Sequence, residues 1–170
     1  MKHAVRAALR LVVILGATPL LLAKGPTTKI TITSTDRESA NEIRNREILE
    51  NFHVWAGPGT FVNDVEGNEG FIVDWASGVV IERPSGLRRY EVAFYVRYAN
   101  RPFDEQADQL AYVIAYESDP VTGQGYVYLP GKTDERYRLN TKAIYHGREG
   151  NWFRATPAWQ DAFRRATTRP

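Results

Sequence analysis

Apolar and polar residues alternate along most of the chain, and this alternation predicts β-strands. The clearest case is the segment RRYEVAFYVRYA, where every second residue is large and apolar: Tyr90, Val92, Phe94, Val96 and Tyr98. Successive side chains of a strand point to opposite faces, so this pattern places one face against a core. The segment QLAYVIAYE alternates large residues with small ones: Leu110, Tyr112, Ile114 and Tyr116 against Ala111, Val113 and Ala115. We therefore expect both faces of this second strand to be covered.

Turn residues join these two strands to a third one. The stretch SDPVTGQG contains Asp119, Pro120, Gly123 and Gly125, which all favour a reversal of the chain. It leads into the short strand GYVYL, so the three strands are predicted to form an antiparallel meander. The charged stretch NRPFDEQAD between the first two strands is long enough to form a projecting loop.

Three earlier segments also have strand character. TKITIT, from Thr28 to Thr33, is rich in β-branched residues and predicts the first strand. FIVDW and VVIE are separated by Ala76, Ser77 and Gly78, which predicts a hairpin between them. Residues Glu42 to Arg44 are expected to pair with the first strand as a second hairpin.

Two helices complete the predicted fold. In ATPAWQDAFRRATT, Thr156 suits the N-cap, Pro157 suits the first helical position, and an apolar stripe follows: Trp159, Ala162, Phe163 and Ala166. NREILENF predicts a shorter helix after the hairpin, and the alternative is a helix that begins earlier, at Ser39. The prediction is an α+β fold that is mainly β: a curved antiparallel sheet, a meander of sandwich-like or barrel-like form, with a C-terminal helix and one short N-terminal helix.

The first residues have the features of a secretory signal peptide. Three basic residues precede an apolar run from Leu11 to Ala23. This run is shorter than the ~20 residues that a membrane-spanning helix needs, so we expect cleavage near Ala23 and no membrane span afterwards. The predicted organisation is a signal peptide at 1–23 and a single globular domain at 24–170, in a secreted or periplasmic protein.

Charge and cysteine content narrow the class of protein. The chain has 22 Lys and Arg, but Lys2, Arg6 and Arg10 leave with the signal peptide, so 19 basic residues remain against 20 acidic ones. Nucleic-acid binding needs a basic surface that neutralises phosphates, so we expect no nucleic-acid partner. The chain has no cysteine, so an exported domain must be stabilised by packing and not by disulfides.

Residue patterns for catalysis and metal binding are sparse. After removal of the signal peptide the histidines are His53 and His146, which lack the usual spacing of zinc ligands, and no GxSxG motif accompanies them. The carboxylates Glu117 and Asp119 at a strand end have no spacing specific to glycoside hydrolysis. We expect no metal, no cofactor and no assigned catalytic residue.

The aromatic residues supply the candidate site. In GYVYLPG, Tyr126 and Tyr128 alternate with aliphatic residues, so the tyrosines point away from whatever those residues cover. That face is either the solvated margin of a core or a surface that stacks on sugar rings or peptide bonds. We take Tyr126, Tyr128, Trp152 and Arg154 as candidate binding residues. The alternative is a cluster of these tyrosines with those of the neighbouring strand.

Several segments resemble a pattern found in uncharacterised secreted bacterial proteins: FHVWAGPGT, YEVAFY, YVIAYESDP, GYVYLPG, Asn140 in RLN, and HGREGNWF followed by Trp159. The resemblance covers most of the chain after the signal peptide. It implies bacterial export and a single domain, and it assigns no activity, cofactor or catalytic residue.

The sequence favours an exported, non-catalytic binding module that holds an envelope polymer, a peptide or a protein on an aromatic and arginine surface. Two alternatives remain open. One is an extracytoplasmic hydrolase of glycans or peptides that uses Glu117, Asp119 or His146, and the other is a structural or oligomerising envelope protein. A pocket that gathers His146 or two carboxylates would favour the hydrolase, whereas an exposed row of Tyr and Trp would favour the binding module.

Overall fold

Eight β-strands and two helices make up the described part of the chain. The computed structural model describes residues 25–36, 40–54, 56–58, 61–62, 65–66, 71–97, 107–138, 140 and 147–168. The predicted signal peptide, Trp55, Tyr98, most of the predicted loop NRPFDEQAD and His146 lie outside these residues. The strands are β1 (Thr27–Ser34), β2 (Ala40–Ile43), β3 (Phe61–Val62), β4 (Val65–Glu66), β5 (Arg88–Val96), β6 (Gln109–Ser118), β7 (Gly125–Tyr128) and β8 (Trp152–Arg154), and the helices are α1 (Arg46–Leu49) and α2 (Pro157–Thr167).

Six of the strands form one antiparallel sheet in the order β2-β1-β5-β6-β7-β8, and β3 pairs with β4 separately. β5, β6 and β7 form the predicted meander, and β1 and β2 form the predicted hairpin ahead of α1. β2 and β8 lie at opposite edges, so the sheet is open and not closed into a barrel. The prediction of a mainly β, α+β fold with an antiparallel sheet, a C-terminal helix and a short N-terminal helix is confirmed.

One hydrophobic core lies on the inner face of this sheet, beneath α2. Rows of apolar side chains cross the strands there, and all are buried: Ile32, Val92 and Ile114 in one row, Ile30, Phe94 and Tyr112 in the next. α2 covers these rows with Trp159 and Phe163, and Trp159 meets Phe52 edge to face, with ring centroids 5.2 Å apart. The described chain packs around this single core as one domain.

The start of α2 follows the predicted capping chemistry. The Thr156 hydroxyl oxygen accepts a hydrogen bond from the Trp159 N–H at 3.2 Å, and Pro157 occupies the first helical position. The Thr156 N–H donates to the carbonyl of Ile72 at 2.9 Å. The helix is therefore attached at its first turn to the segment that borders the sheet.

A β-bulge in β6 changes the faces that its first residues occupy. Phe94 pairs with Tyr112 and Tyr95 pairs with Leu110, so Ala111 is an extra residue on β6. Leu110 consequently lies opposite Tyr95 on the outer face and is 38% exposed. The prediction that Leu110 shares a face with Tyr112 is wrong, because the alternation pattern assumed an uninterrupted strand.

The predicted hairpin between FIVDW and VVIE is also wrong. Both described segments lie against β8 instead: Val73 forms a bridge with Ala155, and Val79 forms one with Phe153. Between the bridges, residues Trp75–Ser77 form a 3-10 turn. The Asp74 carboxylate caps that turn by accepting hydrogen bonds from the N–H and the hydroxyl of Ser77. The small residues thus belong to a capped turn within one segment along β8, and they do not connect two paired strands.

Asn140 completes the sheet at the point where β7 leaves it. β7 pairs with β6 as far as Tyr128 opposite Ala115, and a continued strand would place Pro130 opposite Val113. Proline has no N–H to donate, so it cannot continue the ladder there. The buried side chain of Asn140 takes its place, because its Oδ1 accepts from the Val113 N–H at 2.7 Å and its Nδ2 donates to the Val113 carbonyl at 2.9 Å.

Replacement of Asn140 by alanine is expected to destabilise the domain. The substitution leaves the buried N–H and C=O of Val113 without these partners, which predicts a loss of about 2 to 4 kcal/mol in the free energy of unfolding. Urea denaturation followed by circular dichroism measures it. The control is Asn51→Ala, which removes an exposed side-chain bond to the Glu47 carbonyl and is expected to change stability by less than about 0.5 kcal/mol. Equal losses in both variants would contradict the role of Asn140.

Candidate functional site

The four candidate residues lie next to one another on the outer face of the sheet, at the β7–β8 edge. Tyr126 pairs with Arg154 across the two strands, and Tyr128 pairs with Trp152. The ring centroids of Tyr128 and Trp152 are 5.1 Å apart. Alternation explains the placement, because Val127 on the same strand is fully buried on the inner face. The alternative cluster is wrong, since Tyr112 and Tyr116 belong to the inner-face core.

An arginine from outside the sheet lies over the ring of Trp152. Arg83 follows the segment that borders β8, and its guanidinium carbon lies 3.6 Å from the ring centroid of Trp152. This is a cation–π arrangement. The Arg83 Nε also donates to the carboxylate of Glu117 on β6 at 2.8 Å. The two side chains are only 25% and 15% exposed, so this salt bridge is partly shielded from solvent.

A second arginine extends the site across the strands. Arg89, Glu117, Tyr126 and Arg154 stand opposite one another in register, and so form one row across β5, β6, β7 and β8. Arg89 and Arg154 are exposed, and neither forms a salt bridge within the described residues. We call the seven residues of this surface the aromatic–arginine face: Arg83, Arg89, Glu117, Tyr126, Tyr128, Trp152 and Arg154. It carries three positive charges and one negative charge.

The aromatic residues of the face differ in what they offer to a ligand. Tyr128 and Trp152 are half-buried and Arg154 is exposed, but Tyr126 is only 7% exposed. Tyr126 stands between Glu117 and Arg154 in the row, so charged side chains flank its ring on both sides. In this arrangement Tyr128, Trp152 and the arginines supply the accessible surface. Tyr126 lies beside them on the same face and is mostly covered.

The loop after β7 holds Tyr128 in place. Its hydroxyl donates to the Asp134 Oδ2 at 2.8 Å, and the Gly131 N–H donates to the same oxygen at 2.6 Å. Burial, assisted by the neighbouring Asp134 carboxylate, raises the pKa of Tyr128. The Tyr128 ring is therefore held as a neutral phenol in a defined orientation.

On the other side of the sheet, Tyr116 packs against the first residue of β7. A Cβ at position 125 would overlap the Tyr116 hydroxyl, so only glycine fits there. Burial raises the pKa of Tyr116, and the neighbouring Ser118 hydroxyl partly offsets this effect. The phenol serves there as a large apolar group.

The carboxylates proposed for hydrolysis are engaged in local structure. Glu117 is paired with Arg83, and Asp119 accepts hydrogen bonds from Thr122 and from the backbone of its own turn. The Thr122 hydroxyl bond, with the backbone bonds, lowers the pKa of Asp119. A general acid requires a raised pKa, so Asp119 is better suited to turn formation.

A cleft of about 340 Å³ between α2 and the turn after β6 contains two carboxylates, those of Asp119 and Asp161. Asp161 forms a salt bridge with Arg164 one turn further along α2. Both carboxylates are thus committed to neighbours on their own elements. Among the described residues no group of three or more His, Asp or Glu side chains is arranged to hold a metal ion.

Comparisons with known proteins found no matching family model, no matching curated protein and no matching solved structure. Neither α1 nor α2, the helices of the described residues, has the length and apolar character to cross a membrane. The candidate site therefore has to be interpreted from its own geometry.

Sequence reasoning found four residues of the aromatic–arginine face, named Glu117 only as a candidate hydrolase carboxylate, and missed Arg83 and Arg89. Arg89 and Glu117 follow from the same alternation, since they are neighbours of the inward residues Tyr90 and Tyr116 on their strands. Arg83 has no such signal, because it belongs to an irregular segment and reaches the site from the edge of the sheet.

Tyr128→Phe is expected to lower the free energy of unfolding by about 1 to 2 kcal/mol, because the Asp134 carboxylate loses a hydrogen-bond donor. Tyr116→Phe is the control, and it is expected to cost less than Tyr128→Phe because the Tyr116 hydroxyl faces the neutral Ser118 hydroxyl and not a carboxylate. Guanidinium denaturation of both variants at pH 7 measures the difference.

The effect of Tyr128→Phe also depends on pH. A raised folded-state pKa stabilises the fold below the unfolded tyrosine pKa, about 10, and this contribution is lost as the pH rises through the folded-state value. The stability gap between wild type and Tyr128→Phe should therefore narrow above about pH 10. A gap that widens with pH would contradict the assignment.

Proposed function

We propose that the chain is an exported, non-catalytic binding module that holds an envelope polymer, a peptide or a protein on the aromatic–arginine face. The observation that carries this proposal is the cross-strand pair of Tyr128 and Trp152, with Arg83 over the Trp152 ring and Arg154 at the next outward position of β8. Half-buried rings in fixed positions cost little conformational entropy when a ligand packs on them, which is why Tyr and Trp are common anchors in binding surfaces.

The arginines give this surface a charge that the whole chain lacks. Three arginines and one carboxylate leave the face with a local net charge of about +2, whereas the chain without its leader is nearly neutral. A local positive field attracts ligands with negative groups, and the guanidinium groups provide directed donors for them.

Nothing in the described residues favours the hydrolase in the same way. Glu117 and Asp119 are held by Arg83 and by Thr122, and Asp161, which shares the cleft beside α2 with Asp119, is held by Arg164. His146 lies outside the described residues, so its part in a hydrolase stays a prediction.

Trp152→Ala is expected to weaken binding at least about ten-fold, and Arg154→Ala about three- to ten-fold. The measurement is a screen of purified protein on arrays of envelope glycans and peptides, followed by biolayer interferometry with each hit. Arg165→Ala is the matched control, because it removes an exposed arginine from α2, on the other side of the sheet, with the same change in charge. Circular dichroism of each variant checks that the fold is retained.

Equal binding by wild type and Trp152→Ala, or the absence of any ligand that binds wild type on these arrays, would reject the proposed face.

Export is proposed from residues 1–23. Expression of the full chain in a bacterial host is expected to yield a product in the periplasm or the medium whose mass corresponds to cleavage near Ala23. Ile14→Arg interrupts the apolar run and is expected to keep the chain uncleaved in the cytoplasm. A full-length wild-type chain in the cytoplasm would refute the proposal of export.

A further inference from the structure

We propose that the Arg83–Glu117 salt bridge is a latch over the aromatic–arginine face, and that an acidic polysaccharide opens it by pairing its own carboxylate with Arg83. This inference rests on the proposed function, and it specifies both the class of ligand and the control of access.

The latch lies across the part of the sheet that a ligand has to reach. The Arg83 guanidinium lies on Trp152 of β8, and its Nε pairs with Glu117 of β6, while β7 lies between these two strands. Neighbouring strands are about 4.8 Å apart, so the latch connects strands that are roughly two spacings apart. It places a guanidinium on the ring of Trp152 and a carboxylate beside Tyr126. In this closed arrangement one face of Trp152 is occupied by the protein's own cation.

Opening the latch does not leave Glu117 without an arginine. Arg89 on β5 is directly opposite Glu117 in the register, and it forms no salt bridge within the described residues. Side chains directly opposite one another on antiparallel strands are close enough to form an ion pair. Glu117 therefore has two arginines within reach, one for the closed arrangement and one for the open arrangement.

The exchange of partners leaves no charge unpaired. The Arg83–Glu117 salt bridge is partly shielded from solvent, so opening it is favourable only when both groups find new partners. A ligand carboxylate that replaces Glu117 keeps Arg83 paired and adds its own attraction to Arg154. The ligand binds the open arrangement better than the closed one, and this difference in affinity shifts the equilibrium between them.

The proximity of Arg83 to Trp152 favours a sugar acid over an acidic peptide. The guanidinium lies 3.6 Å from the indole centroid, so an anion bound to it is close to the ring as well. In a uronic acid the carboxylate is attached directly to a sugar ring, so one residue can contact both Arg83 and the aromatic pair. The carboxylates of an acidic peptide sit on flexible side chains and bring no such ring with them.

The test compares two forms of one polymer. Wild-type protein is expected to bind polygalacturonate at least about ten-fold more tightly than the fully methyl-esterified form, which has the same backbone without the charges. Glu117→Gln is expected to bind polygalacturonate about five-fold more tightly than wild type, because Arg83 no longer has a competing carboxylate. Arg83→Ala is expected to bind about ten-fold more weakly, since it removes the cation that the ligand requires.

Glu91→Gln is the matched control for Glu117→Gln. Glu91 stands on the same outer face, next to the row of Glu117, and is paired with Arg136. Its substitution changes the net charge by the same amount and also releases an arginine, but it leaves the latch intact. Its affinity for polygalacturonate is expected to stay within about two-fold of wild type.

The latch has a second readout that needs no ligand. Acrylamide quenching of tryptophan fluorescence, taken as the difference between each protein and its Trp152→Phe counterpart, reports the accessibility of Trp152. Quenching is expected to rise in Glu117→Gln and in Arg83→Ala, and to stay at the wild-type level in Glu91→Gln. Arg83→Ala therefore combines a more accessible ring with weaker binding.

Each outcome decides one part of the proposal. Equal effects of Glu117→Gln and Glu91→Gln on affinity and quenching would refute the latch. Equal binding of the charged and the esterified polymer, or tighter binding of polyglutamate than of polygalacturonate, would refute the acidic polysaccharide. If a ligand on the arrays binds through Trp152 but polygalacturonate does not bind, the ligand class is refuted and the proposed binding function stands. If no ligand shows binding that depends on Trp152, the proposed function itself is refuted.

Discussion

The packing of α2 on the inner face of the sheet is the contact on which the rest of the structure depends. An open antiparallel sheet has one face that must be removed from water, and here the rings of Trp159 and Phe163 cover it. The chain has no disulfide to replace this contact. Loss of a buried aromatic side chain from such a core typically costs about 3 to 5 kcal/mol, a large part of the stability of a small domain.

The residues that point into the core determine which side chains lie on the outer face. Because side chains alternate along a strand, the inward position of Val127 and Phe153 turns Tyr126, Tyr128 and Trp152 outward. The same rule places Arg89 and Glu117 beside them. The aromatic–arginine face thus arises on the side of the sheet opposite the core, and its shape is stabilised by the packing beneath it.

The strands β1, β2, β5, β6 and β7 were predictable from local pattern, whereas the short strands β3, β4 and β8 and the departures from regularity were not. β5, β6, β7 and α2 were found because their signals, alternation and a capping threonine, lie within a few residues of one another. The bulge at Ala111 and the contacts of the FIVDW and VVIE segments with β8 depend on partners distant in sequence, so no local pattern reports them. Arg83 was missed for the same reason, although its guanidinium carbon lies 3.6 Å from the ring centroid of Trp152.

Gly125 couples the two sides of the sheet. Its hydrogen atom faces the Tyr116 hydroxyl in the core, and its next neighbour in the chain is Tyr126 on the outer surface. A larger residue at position 125 would have to push the phenol into the core or move the start of β7 outward. The space available to the core at Tyr116 and the position of the outer-face ring of Tyr126 are therefore coupled through Gly125. Redesign of the outer surface would have to begin with the side chain beneath it.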